Sequence, residues 1–138
     1  MSLVIDASAT LAWYFEDESN DTSDALLERV AQNGAIVPTL WRYEVVNGLQ
    51  MAVRRKRIGP GYRDASLAEL RLMPITTDRS GDHLIWTTAL ALADRFELTV
   101  YDAAYVELAQ RRSLPLATGD RPMRKAARAL SIEVVDAR

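Results

Sequence analysis

Short apolar runs alternate with longer segments of helical periodicity along this chain. Leu3-Val4-Ile5 stops at Asp6 and reads as a buried strand, as do Ala35–Pro38, Pro74–Thr77, Leu114–Thr118 and Ile132–Val135. Between them, apolar residues recur at helical spacing. The pattern predicts helices over residues 8–16, 22–33, 39–57, 62–72, 83–96, 102–112 and 121–130. Gly34 stops the second helix and Gly59-Pro60-Gly61 breaks the third. Continuously apolar strands separated by helices predict an α/β fold: a mostly parallel central sheet with helices on both faces, joined by right-handed crossovers. In such sheets function gathers at the carboxyl ends of the strands.

Composition narrows the class. With 138 residues, 49% hydrophobic and 26% charged, the chain suits one soluble domain spanning 1–138. There are no repeats and no low-complexity linker. No cysteine is present, which excludes disulfides and thiolate metal sites, and the single His83, after a Ser-Gly-Asp turn, reads as a surface or capping residue. The N-terminus lacks a signal-peptide pattern and no apolar run is long enough to span a bilayer. The expectation is a cytoplasmic protein without a membrane partner. The net charge of −2 does not advertise a nucleic-acid binder. Two local basic groups stand against that total: Arg54, Arg55, Lys56 and Arg57, then Arg121, Arg124, Lys125 and Arg128. Each suits a solvated helix face or a phosphate contact.

The acidic residues carry the candidate chemistry. Most of the 19 stand among polar neighbours, but Asp6, Glu44, Asp102 and Asp120 stand among apolar and aromatic ones. A buried carboxylate needs a partner, a proton or a cation. Singly, Asp6, Asp102 and Asp120 could cap helices and Glu44 could pair with a base such as Arg42. Together they place four acids toward one edge, where their repulsion calls for a divalent ion. Oxygen-only ligands favour Mg²⁺ or Mn²⁺. Ser8, Thr118 and Asn47 stand close enough in sequence to orient a carboxylate or a water, or serve as ordinary capping and turn residues.

These elements resemble a known family. Val4-Ile5-Asp6-Ala7-Ser8 with Trp13, Pro38–Trp41 with Tyr43-Glu44-Val45, Asn47 and Leu49, Tyr101-Asp102-Ala103 with Tyr105, Leu108 and Ala109, and Leu116–Asp120 with Ala126-Ala127 follow the order found in PIN-domain ribonucleases, particularly the VapC toxins of toxin–antitoxin pairs. Met123 stands where Leu is expected. The resemblance implies a three-layer α/β/α sandwich, a Mg²⁺-dependent endoribonuclease acting on RNA, a homodimer and inhibition by a VapB-type antitoxin. It carries the acidic positions onto Asp6, Glu44, Asp102 and Asp120, and the polar partners onto Ser8 and Thr118. Asp6 and Asp102 rank first as direct ligands; Arg54, Arg55, Lys56, Arg121 and Arg124 are candidate RNA contacts. Two alternatives stay open: a catalytically inactive PIN-like interaction module, and an aspartyl-phosphate-type phosphatase. The latter would usually place a second Asp where Ser8 stands.

Overall fold

The structure is a computed structural model that describes residues 2–137. Five strands form one parallel sheet: β1 (Leu3–Ile5), β2 (Ala35–Pro38), β3 (Ile75–Asp78), β4 (Leu116–Ala117) and β5 (Val134–Val135), in the order β3-β2-β1-β4-β5. The helices are α1 (Ala7–Leu11), α2 (Asp21–Asn33), α3 (Leu40–Arg54), α4 (Pro60–Leu70), α5 (Thr88–Phe96), α6 (Val100–Arg112) and α7 (Arg121–Ala129). Steps from β1 to β2 and from β2 to β3 run one way across the sheet, and those to β4 and β5 run the other. Right-handed crossovers therefore place α1–α4 on one face and α5–α7 on the opposite face. The extensive helix contacts respect that division, α1 and α4 meeting α3, and α5 and α7 meeting α6. The result is a three-layer α/β/α sandwich, with Leu3, Val4, Ile5, Val37, Leu116 and Ala117 wholly buried at its centre.

Local chemistry sets the element ends. Asn20 and Ser23 form a reciprocal capping box for α2. Gly34 closes that helix at φ 79°, ψ 172°, a region essentially reserved for glycine. Several boundaries differ from the sequence reading. The first helix ends at Leu11 instead of Glu16, and α3 ends at Arg54 because Lys56 turns left-handed at φ 61°. Arg57 then leaves the helix to pair with Asp17 and Glu18 and to lie 4.3 Å over the Phe15 ring. Gly59-Pro60-Gly61 is a start as much as a break, since Pro60 is the first residue of α4, where its missing N–H costs nothing. The segment expected to be helical from His83 to Phe96 divides at Thr87 into a 3₁₀ turn (Asp82–Trp86) and α5, with the Asp82 carboxylate accepting from Thr39.

Candidate active site

The sheet reverses its direction of growth between β1 and β4, so the crevice beyond the carboxyl ends of these two strands is its switch point. Asp6 follows β1 directly and is 5% exposed. It caps α1: Oδ1 accepts from the Ala9 amide at 2.8 Å. Oδ2 accepts from the wholly buried Thr118 hydroxyl, just after β4. The same Thr118 oxygen accepts from the Asp120 amide at 3.1 Å. One hydroxyl thus ties Asp6 to the segment bearing Asp120. Asp120, exposed, caps α7 by accepting from the Met123 amide at 3.0 Å.

The other two acids come from the helical layers. Asp102, partly buried, is in the first turn of α6; the cap is Thr99, whose Oγ1 accepts from the Asp102 amide. Glu44 projects from the second turn of α3 in the opposite layer and accepts from Tyr105 Oη at 2.5 Å. Burial pushes the Asp6 carboxyl up to about 6; Thr118 and Ala9 hold it down, and the charges of Asp102 and Asp120 raise it again. Burial also raises Glu44, with Tyr105 opposing and Asp102 adding to the rise. Asp102 is raised by burial and then by Asp120, the Thr99 hydroxyl opposing. The charged groups that raise these three acids are acids themselves.

An all-oxygen set of mutually repelling carboxylates fits a hard divalent ion such as Mg²⁺ or Mn²⁺. Among the described residues, no group of three acidic or histidine side chains stands as a ready-made metal cage. The Thr118 hydroxyl holds Asp6 and the Tyr105 hydroxyl holds Glu44.

Other candidates separate by position. Ser8 and Asn47 are exposed and make no side-chain hydrogen bond among the described residues. Arg54, Arg55 and Lys56 are exposed at the far end of α3, ~15 Å along the helix axis from Glu44 at 1.5 Å per residue. Arg121 is exposed and adjoins Asp120, whereas Arg124 is committed to Asp136 at 2.9 Å and to the Thr118 carbonyl. His83 is exposed in the 3₁₀ turn. Sequence reasoning included Tyr105 in a motif but gave it no role; its position three residues after Asp102, on the same side of the helix, was the available signal.

The class is a parallel α/β/α sandwich whose first and fourth strands are followed by Asp6 and Asp120, tied together through Thr118. Residues 3–129 match the PIN domain family, and the chain belongs to that family. It is 33% identical over 124 residues to Ribonuclease VapC3 of Mycobacterium tuberculosis, covering 90% of this chain and 86% of that one. It is 32% identical over 123 residues to Ribonuclease VapC3 of Pyrobaculum aerophilum, covering 89% and 92%. The fold is shared with crystal structures of PAE2754 from Pyrobaculum aerophilum (TM-score 0.70, 22% identity, 99% and 90% coverage) and of FitAcB from Neisseria gonorrhoeae (TM-score 0.69, 14% identity, 99% and 98% coverage).

Proposed function

We propose that this chain is a cytoplasmic, Mg²⁺- or Mn²⁺-dependent endoribonuclease, the toxic component of a toxin–antitoxin module, inhibited by a VapB-type antitoxin. The observation that carries the reading is the mutual repulsion of the four acids: Asp102 and Asp120 raise Asp6, Asp102 raises Glu44, and Asp120 raises Asp102. Similarity to two ribonucleases named VapC3 supports the choice of RNA and of the toxin role.

Asp6 and Asp102 would hold the ion directly, and Glu44 and Asp120 would act through water or orient the nucleophile. The chemistry such an ion supplies is activation of a water and neutralisation of charge on the phosphoryl oxygens. Thr118 keeps Asp6 in one rotamer, with Oδ2 turned toward the Asp120 segment. Arg121, exposed beside Asp120, offsets repulsion between the acids and an incoming phosphate chain. Arg54, Arg55 and Lys56 would meet the RNA farther along the same strand.

Two surfaces support the partner readings. Trp41, Val45, Val46, Leu67, Leu70 and Met73 line an apolar groove between α3 and α4, suited to an antitoxin segment. Ile85, Trp86, Leu90 and Tyr101 are exposed on adjoining elements, an apolar face suited to a homodimer. No helix among the described residues is long and apolar enough to cross a membrane.

Cleavage-site mapping on total RNA with wild type, Asp6→Asn and Asp102→Asn tests the proposal. Both variants are expected to fold and to lose Mg²⁺-dependent cleavage. Cleavage by either at the wild-type rate would refute the site assignment, and absence of metal-dependent cleavage by the wild type would favour a catalytically inactive interaction module.

A further inference from the structure

Tyr105 is the bulkiest of the fully buried side chains, with 1% of its surface exposed. A phenylalanine would fill the same space, so packing alone does not call for the hydroxyl. That hydroxyl donates to Glu44 Oε1 at 2.5 Å, reaching from α6 to α3 across the two helical layers. One buried hydroxyl therefore links the helix bearing Asp102 to the helix bearing Glu44.

Glu44 is otherwise a long, half-buried side chain, and ordering such a chain costs rotamer entropy. With Oε1 held, Oε2 has a defined position relative to Asp6 and Asp102. Resting on the ribonuclease reading above, we propose that Tyr105 is a positioning residue that fixes Glu44 in the acidic cluster and leaves its second oxygen for the metal's hydration shell or the attacking water. Tyr105 touches neither substrate nor ion. It acts through Glu44.

The test is Mn²⁺ binding, followed by calorimetry on the protein alone, for wild type, Asp6→Asn, Tyr105→Phe, Glu44→Gln and the Tyr105→Phe/Glu44→Gln pair. Loss of a partner that orients a ligand typically weakens metal affinity about 10- to 100-fold. Tyr105→Phe is expected to bind Mn²⁺ at least about tenfold more weakly, while melting near wild type in EDTA. In the Glu44→Gln background the Tyr105 substitution is expected to cost nothing further. Unchanged affinity in Tyr105→Phe while Asp6→Asn loses binding overturns the role of Tyr105 and leaves the site intact. An equal loss in both backgrounds also overturns it, since Tyr105 would not be acting through Glu44. Wild-type affinity in Asp6→Asn sinks the metal site and this inference together. A second measurement needs no substitution at Tyr105: Mn²⁺ should perturb the tyrosine ultraviolet difference spectrum of the wild type and not of Glu44→Gln. An identical response in both proteins would overturn the proposal.

Discussion

Asp6→Asn is expected to make the metal-free protein more stable while removing its activity. The Asp6 carboxyl moves from an ordinary 3.8 to about 6, chiefly through burial. That rise of ~2 units is worth ~3 kcal/mol at 1.36 kcal/mol per unit. The sign follows from linkage: a carboxyl raised on folding contributes most below its unfolded value and loses that contribution as pH rises through the folded value. The cost of ionised Asp6 therefore accrues between 3.8 and about 6 and is complete at neutral pH. Asparagine keeps the cap, since its Oδ1 can accept from Ala9. Its amide must donate to Thr118, whose own proton is then left the weaker acceptor Met123 Sδ at 3.8 Å. Exchanging that bond costs ~1 kcal/mol. The net gain of ~2 kcal/mol corresponds to ~7 °C in Tm for a chain of this length. The assay is thermal unfolding in EDTA at about pH 7.5 and again at about pH 4.5, where wild-type Asp6 is largely protonated and the gap should shrink. A variant melting at or below wild type at the higher pH, or a gap that does not narrow at the lower one, would refute the reasoning.

Other outcomes follow from the same structure. Arg111 reaches Asp78 at 2.6 Å and Glu107 at 2.8 Å, both carboxylates buried, so Arg111→Ala is expected to cost ~2–3 kcal/mol by urea unfolding. Burial opposes ionisation of Asp78, but Arg111, Ser80 and Gly81 together lower it, so its contribution stands above the ordinary carboxylate range and is lost as pH falls below it; the variant's deficit should diminish in acid. Gly34→Ala is expected to lose ~2 kcal/mol, because φ 79° is unfavourable for alanine and the added Cβ would lie 3.0 Å from the Pro74 carbonyl oxygen; an unchanged urea midpoint would contradict this. Arg121→Glu is expected to weaken RNA binding and flatten its salt dependence more than Arg54→Glu, since Arg121 adjoins Asp120 and Arg54 stands at the far end of α3. Equal salt slopes for the two variants would place the RNA path elsewhere.

The order of strands and helices was legible in the chain because parallel strands buried on both faces must be continuous apolar runs. For the same reason Asp6 and Asp120 could be placed at strand ends, and the unusual company of Glu44 and Asp102 marked them as acids needing an explanation. Helix ends were less legible: Lys56 turning left-handed and Thr87 interrupting a helical pattern depend on what Arg57 and Asp82 find in space. Periodicity alone also could not rank the polar partners. Ser8, two residues from Asp6, lies exposed, while Thr118, 112 residues away, holds the Asp6 carboxylate. Arg124 looked like a free cation and is paired with Asp136. Tyr105 fitted a motif as an ordinary aromatic, and only the meeting of α3 with α6 over the sheet edge gave its hydroxyl a purpose. The sequence by itself determined which acids had to be accounted for, since local burial follows from pattern. Which groups hold them depends on contacts between distant segments, and those only the tertiary structure decided.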